Sequence, residues 1–441
     1  MDNILASSFN VFFNIVLWIL PLAGTFFLGY CAWKMWVHYI QQDFISGIDF
    51  CMLEIIPPRD VVRSPKGMEL FISNALYHWS EKGGMEEYWQ GAVWFWFSLE
   101  MASIEGQVHF YIRTPTRIKD LIETQMYAQY PQSQVKVVED YTLAVSEISE
   151  ESGWNLWGCE FKLLKPEVYP IKTYVDFGLD KDPDEEFKVD PISPVIEFFG
   201  SLGKGEQAWL QIVITPPKRQ YHTKGTWFGH HDWVAEGRKQ ILNTLEPYTG
   251  SRDRAKLDSR GPGYGLEVRS PGFMDEMIKG AGKKLTKIGF DTGIRLAYVA
   301  RKDIFPFGTR TNNSRNIRLI FRQYANPFSN EFWRHNSTQA DQYSGIFMAS
   351  AKTVNLFKRR HLHAYREREF FHLPMRHHLF NKHTIIWPFS LWFKPYFHPE
   401  IFVLNIEELA TIWHFPGQIL KVPTLERIES KEASPPPNLP M

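Results

Sequence analysis

The stretch GAVWFWFSLEMASIEGQVHFYIR, residues 91–113, decides the fold. Residues 91–103, rich in Trp and Phe, read as a strand, Gly106 makes a turn, and residues 107–113 read as a second strand. Working outward, the apolar run over residues 50–56, closed by Pro57 and Pro58, predicts a strand ahead of this pair. Ser64 then caps a helix that opens with Pro65 and carries Met68, Phe71, Ile72 and Leu76 on one stripe. On the far side, a helix over 116–130 carries Ile118, Leu121, Ile122 and Met126, and residues 134–138 supply a fourth strand. The order is strand, helix, strand, strand, helix, strand, the split βαβ pattern of a ferredoxin-like domain.

A looser copy of that order follows. Strands are expected over 156–164, 208–215 and 294–299, with helices over 194–202 and 313–324. Residues 216–289 read as an insertion of two helices, 232–245 and 273–285, around a Gly/Pro/Arg-rich link at 250–272. The acidic loop 176–190 reads as a solvated connection. The expected class is α+β: a transmembrane anchor over 1–44, a ferredoxin-like domain over 45–150, and a second α+β domain over 151–345 with its insertion near 216–289. A basic, aromatic segment with an extended Pro-rich tail completes the chain over 346–441.

Composition narrows the function classes. A chain of 441 residues suggests about three units at roughly 150 residues each. Lys+Arg 49 balance Asp+Glu 49, which excludes a wholly basic nucleic-acid binder while leaving local patches. Cys31, Cys51 and Cys159 form no CxxC pair, so neither a disulfide framework nor a zinc ribbon is expected, and a reducing compartment fits.

Residues 9–33 carry no charged side chain. At about 1.5 Å per residue such a helix is about 37 Å long, enough to cross a hydrocarbon core of about 30 Å with tilt. Tyr30, Trp33, Trp36 and Tyr39 gather at its end and Pro21 should kink its middle. The start is too long and lacks the positive leader of a cleaved signal, so a retained anchor is read, with a buried core helix as the alternative. Lys34, Arg59, Arg63 and Lys66 follow the run and only Asp2 precedes it. The expectation is therefore a single-pass protein of the inner or plasma membrane, N-terminus outside and bulk cytoplasmic.

Motifs for chemistry are weak. Gly280-Ala281-Gly282-Lys283-Lys284 lacks the upstream Gly and the hydroxyl of a phosphate-binding loop and reads as a helix terminus. Gly261, Gly263 and Gly265 follow no strand, so they read as a flexible loop and not as a dinucleotide turn. His230-His231-Asp232 offers three adjacent ligands that diverge too far on a helix to meet one ion. His361, His363, His372, His377, His378 and His383 have no Cys partners and no HExxH arrangement, so a histidine-rich binding face is the simpler reading. No Ser or Cys nucleophile stands in a reactive setting. No catalytic residue, cofactor or metal is expected, and an enzyme is not supported. Residues 352–382, basic and interleaved with Phe, Tyr and His, could contact phosphates and bases, anionic lipid, or an acidic partner. For nucleic acid the candidates are Lys358, Arg359, Arg360, Arg366 and Arg368.

Several short motifs, in order, resemble a known family. They are LEIIPPR at 53–59 with SPKGME at 64–69, Glu105-Gly106 leading into HFYIR at 109–113, QYP at 129–131 and EDY at 139–141. Gly289-Phe290, Ile294-Arg295 and Asn326-Pro327-Phe328 continue the series. Trp387-Pro388-Phe389, NIEELAT at 405–411, HFPG at 414–417 and the Pro-rich stretch at 435–440 complete it. Over most of residues 45–441 the chain is similar to an uncharacterised membrane-anchored region of candidate-phylum bacteria. In those relatives the Pro-rich tail leads into an ATPase of the HerA/FtsK superfamily, of the type IV secretion and conjugation class. The sequence stops at Met441 before such a domain. The resemblance implies a non-catalytic membrane scaffold that docks a separate cytoplasmic P-loop ATPase through residues 384–441, with a homo-oligomer expected. Glu407, Glu408, Leu409, Thr411, His414, Phe415 and Pro416 are the candidate docking residues, and packing of this helix and turn on its own domain is the alternative.

Overall fold

A computed structural model describes residues 2–57, 64–77, 84–149, 151–180, 189–216, 221–222, 230–245, 272–305, 317–338, 351–373 and 399–417. Side chains within residues 2–20 lie outside the description. By its contacts the chain divides into two compact units. One comprises residues 1–49, 80–94 and 372–396, and the other holds the rest.

Helix α1 runs from Asp2 to Ser46 and continues through Pro21, where the Thr25 hydroxyl donates to the Pro21 carbonyl at 2.9 Å. Among the described residues no helix is long and apolar enough to cross a membrane. The predicted span over 9–33 lies within α1. Half of it falls on side chains outside the description, and the described remainder of α1 includes Lys34 and Asp43.

In the larger unit, β1 (Phe50–Ile56) occupies the expected run. Helix α2 (Lys66–Phe71) passes into a wider π turn (Ile72–Leu76), and Met68, Phe71, Ile72 and Leu76 are all buried. A short α3 (Gly84–Tyr88) belongs to the first unit. Strand β2 (Phe97–Ile104) starts six residues later than the aromatic run suggested, because Gly91 turns the chain with φ +68°. A two-residue turn joins it to β3 (Gln107–Pro115), with Glu105 at φ 52° and Gly106 at φ 88°. Both left-handed residues are what a tight hairpin requires, and a Cβ on Gly106 would lie 2.6 Å from the Leu202 carbonyl oxygen. Helix α4 (Lys119–Gln129) buries Ile122 and Met126 but leaves Leu121 exposed, correcting its predicted stripe, and β4 (Gln134–Val138) follows.

The second series comprises β5 (Trp154–Leu163), α5 (Ser193–Gly200) and β6 (Glu206–Thr215). The insertion then contributes the small pair β7 (Tyr221–His222) and β8 (His230–His231), α6 (Trp233–Leu245) and α7 (Gly272–Thr286). Strand β9 (Gly289–Arg301) comes next. The predicted helix over 313–324 is a 3-10 helix, Ile317–Tyr324, and residues 313–316 lie outside the described residues. Besides α3, β7 and β8, the elements not predicted as such are β10 (Phe332–His335), the long basic α8 (Ala351–Glu367) and β11 (Phe402–Asn405), which leads into α9 (Ile406–Ile412).

Among the described residues, the strands other than the β7–β8 pair form one antiparallel sheet of nine, in the order β10-β5-β9-β6-β2-β3-β1-β4, with β11 beside β9. In each half the two outer connections carry helical segments and the strand order repeats: fourth, first, third, second. Strands β2 and β6 join the halves, Phe97 opposite Ile214 through Ile104 opposite Gln207. Strand β11 pairs with the first residues of β9, Gly289 to Thr292, just where pairing with β5 ends at Ile294.

Alternate residues divide the sheet into two faces. One carries Leu53, Leu99, Phe110, Leu210 and Leu296 into a large core beneath α2, α4, α5 and α9. The other carries Met52, Ala102, Trp209, Ala297 and Val299 beneath Tyr141 and α8. Helix α8 approaches this second face closely, since a Cβ on Gly158 would lie 2.2 Å from His361 Nε2.

Candidate functional site

A single row of cross-strand partners crosses the α8 face. In register it runs Lys136, Glu54, Tyr111, Glu100, Gln211, Arg295, Glu160, His335, one residue from each of eight strands. Lys136, Glu54 and His335 at its ends meet solvent, whereas Tyr111, Glu100, Gln211, Arg295 and Glu160 are buried. Charges in such surroundings persist only when paired and hydrogen-bonded.

The pairing is complete at both carboxylates. Glu160 accepts from Arg295 Nε at 3.1 Å and Nη2 at 2.7 Å, and from the Asn336 amide at 2.7 Å. Burial opposes its ionisation, but Arg295 and Asn336 outweigh it and hold its pKa below the usual value. Glu100 accepts from Arg368 Nε at 2.9 Å and Nη2 at 3.1 Å, from Tyr141 at 2.7 Å and from Ser98 at 2.5 Å. Gln211 bridges the two systems: its amide donates to Glu100 at 3.1 Å while its oxygen accepts from Arg295 at 3.3 Å.

The same side chains fasten α8 and its exit to the sheet. Arg295 donates to the carbonyls of Ala364 at 2.6 Å and Glu369 at 3.0 Å, and Gln211 to that of Tyr365 at 2.9 Å. Arg368 adds an ion pair with Asp140. Burial works against the Arg368 guanidinium, yet Glu100 and Asp140 hold it charged far up the pH scale. Burial first, then Glu100, pushes the Tyr141 and Tyr365 phenols well above their ordinary value. His361 is buried beside Arg295 and its pKa falls to about 3, so it is neutral here.

Of the predicted nucleic-acid residues, three are engaged within the fold. Arg368 is in the buried pair, Arg366 donates to the Thr142 carbonyl at 3.0 Å and to that of Val145, and Lys358 donates to Asn155 at 2.7 Å. Burial and then Lys302 push the Lys358 amine down to about 8. Arg360 is partly buried. Arg359 is exposed and reaches an exposed Glu147 at 3.8 Å.

The predicted docking residues Glu407, Glu408, Leu409, Thr411, His414, Phe415 and Pro416 are all buried. They face inward because α9 carries its own cap and clamp. Asn405 Oδ1 accepts from the Glu408 amide at 2.8 Å, and Glu408 Oε2 accepts from the Asn405 amide at 2.9 Å, a capping box. Glu408 also pairs with buried Lys284 of α7 at 2.9 Å and accepts from the Ile171 amide at 3.0 Å. Burial raises its pKa against the pull of Lys284. Glu407 pairs with Lys287 at 2.7 Å and Lys283 at 3.2 Å and accepts from Thr173 at 2.6 Å. Despite burial, Lys287 and Thr173 keep its pKa below the usual value. Thr411 accepts from the Tyr174 amide at 2.9 Å, and His414 meets Asp190 at 3.0 Å. Leu409 and Phe415 join the main core. These residues act as internal braces, tying the tail to the insertion and to the loop after β5. An open cavity of about 460 Å³ borders this clamp, between Thr173, Asp176, Glu276, Lys283, Ser329 and Glu407.

The remaining motifs have ordinary places. Gly280 to Lys284 lie inside α7, not at a loop. Asp232 caps α6, accepting from the amides of Val234 at 2.9 Å and Ala235 at 3.2 Å. His377, His378, His383, Gly261, Gly263, Gly265 and the Pro-rich tail lie outside the described residues. Among the described residues no group of His, Cys, Asp and Glu is placed to hold a metal ion.

The sequence reading missed Glu100, Glu160, Gln211 and Arg295. A signal was present, because each stands alone in an apolar strand, as in Leu99-Glu100-Met101, Cys159-Glu160-Phe161 and Ile294-Arg295-Leu296. A family model described as a domain of unknown function (DUF8128) matches residues 95–260, from the start of β2 into the insertion and less than half of the chain. No curated protein matches the chain.

Proposed function

We propose that the chain is a membrane-tethered, non-catalytic scaffold, a doubled ferredoxin-like platform that serves a type IV secretion-like transfer machine and engages a cytoplasmic ATPase. One observation carries the scaffold part of this reading. The charged groups at the centre of the sheet and around α9 are spent on one another, joining segments up to 268 positions apart, as in Arg368 with Glu100. Such pairs add little net stability against an apolar replacement but penalise every mispairing, and they suit a part that must hold shape. The repeated strand order supports the doubled ferredoxin-like description. The tether rests on the uncharged residues 9–33, set within one continuous helix. The ATPase and the transfer machine rest on the motif resemblance.

Because the seven residues of 407–416 are internal, the surface offered to a motor is the one they brace, together with residues 418–441. The test is affinity purification of the full chain from detergent-solubilised membranes, beside a version ending after Gly417 that keeps α9 intact. Recovery of a P-loop ATPase with the full chain and its loss with the shorter one is the expected result. Equal recovery would place docking elsewhere, and no ATPase with either would remove the motor from the reading.

A further inference from the structure

The unit that contains α1 and α3 exposes large apolar side chains to an unusual degree. Phe26 is 77% exposed on α1, and Met85 and Trp89 are 69% and 59% exposed on the segment that begins with α3. That segment is clipped to α1 by rings and by backbone. Trp33 lies 5.9 Å from Tyr88 and 6.5 Å from Trp89, centroid to centroid, and Trp36 lies 6.2 Å from Trp89. Gly91, at φ +68°, sits against the backbone of α1, where any Cβ would fall 2.1 Å from the Ile40 carbonyl oxygen. Only glycine permits this approach, so the clip is built into the chain.

Met85, Tyr88 and Trp89 follow the spacing of one helical stripe, and the Trp89 amide donates to the Met85 carbonyl at 3.0 Å, extending the turn. Along α1, Phe27 and Trp36 are nine positions apart, a rise of about 13 Å, close to half of a hydrocarbon core of about 30 Å. If the exposed residues near Phe27 lie in lipid tails, the rings of Trp33, Trp36, Tyr88 and Trp89 fall at headgroup depth. Indole and phenol rings favour that layer, with an apolar body and a polar edge. Lys34, whose amine lies 5.7 Å from the Tyr30 ring, brings a cation to the same level, where anionic headgroups attract it.

We infer that Met85, Tyr88 and Trp89, held by Trp33, Trp36 and Gly91, lie in the lipid–water interface, making residues 84–91 a second membrane contact. This rests on the tether reading above and adds to it a contact that the sequence reading assigned to no membrane element. The occupant is lipid because the patch continues the uncharged run of α1 and ends in rings suited to the interface.

The experiment uses the full chain in nanodiscs of phosphatidylcholine and phosphatidylglycerol carrying a diazirine lipid, reactive either in the headgroup or at the acyl end, with labelled sites mapped by peptide mass spectrometry. The expected map places the acyl probe on residues 22–28 and the headgroup probe on residues 33–39 and 84–91, the latter about tenfold above the solvent-facing side of α4. Met85→Asp combined with Trp89→Asp should lower headgroup labelling of 84–91 about tenfold and leave acyl labelling of 22–28 unchanged. Labelling of 22–28 with none above background on 84–91 overturns the second contact and leaves the tether standing. Labelling of neither removes both, and crosslinks from 84–91 to another copy or another protein without lipid labelling would assign the patch to that partner instead. The unsubstituted chain gives the decisive map, so the result stands even where the doubly substituted one misfolds.

Discussion

Glu100 and Glu160 occupy one cross-strand row, one in each half of the sheet, yet their cations come from different sources. Glu160 is neutralised by Arg295, its direct partner on the adjacent strand, so pairing of β5 with β9 brings the two together. Glu100 depends on Arg368, which arrives from beyond α8. That arginine also occupies the left-handed region, φ 55°, at the end of α8, where the Glu369 amide donates to the Ala364 carbonyl at 3.0 Å and the Arg368 amide to that of Tyr365 at 3.2 Å. This bonding pattern usually takes glycine at the left-handed position. The first half therefore accepts backbone strain at a distant site to neutralise its carboxylate, whereas the second half needs none.

The largest expected effect follows from that contrast. Arg368→Ala should destabilise the larger unit by about 3–5 kcal/mol in chemical denaturation, because it strands Glu100 without a counter-charge. Arg368→Gly should be milder by about 1 kcal/mol, since it relieves the left-handed strain while losing the same ion pairs. Equal losses from the two would mean that the backbone there is unstrained, and a loss below about 1 kcal/mol would mean that Glu100 does not need its arginine.

A second, smaller effect is read from pH. His361 lies at about 3 in the folded chain against an ordinary 6.5, so between these values the unfolded chain binds the extra proton. Stability should then fall with acidification at about 1.4 kcal/mol per pH unit across that window. Glu160, also held low, adds to the loss below its ordinary value of 4.5, while Glu408, raised by burial, works in the opposite sense. Denaturation midpoints from pH 7 to pH 4 check this, and a flat profile above pH 5 would mean that His361 protonates without cost. The smallest effect is expected at the surface. Arg359→Glu should shift stability by less than about 0.5 kcal/mol, because Arg359 and Glu147 are both exposed.

The first half of the fold was legible because its hairpin is tight and its periodicity clean, so β1 and β4 fall on the expected residues. The second half was read in outline only. Strands β10 and β11 have four residues each, too few to establish alternation, and their partners lie more than a hundred positions away. The internal charge pairs were illegible for a different reason. A run such as Lys358 to Arg368 displays its charge in sequence but not the partner that absorbs it, so it resembles a phosphate-binding face. The same holds for Glu407 and Glu408, although Asn405 three positions before Glu408 was a readable cap.

Strand β11 and α9 come late in the chain but sit deep in it. Until residues 402–413 leave the ribosome, the start of β9 lacks its partner on the side away from β6, Lys284 lacks its carboxylate, and the Trp413 indole cannot reach the Glu100 carbonyl, 3.2 Å away in the finished fold. Contacts so distant in sequence make for slow closure. During synthesis the nascent chain therefore carries an open edge at residues 289–292 of β9 until β11 is translated.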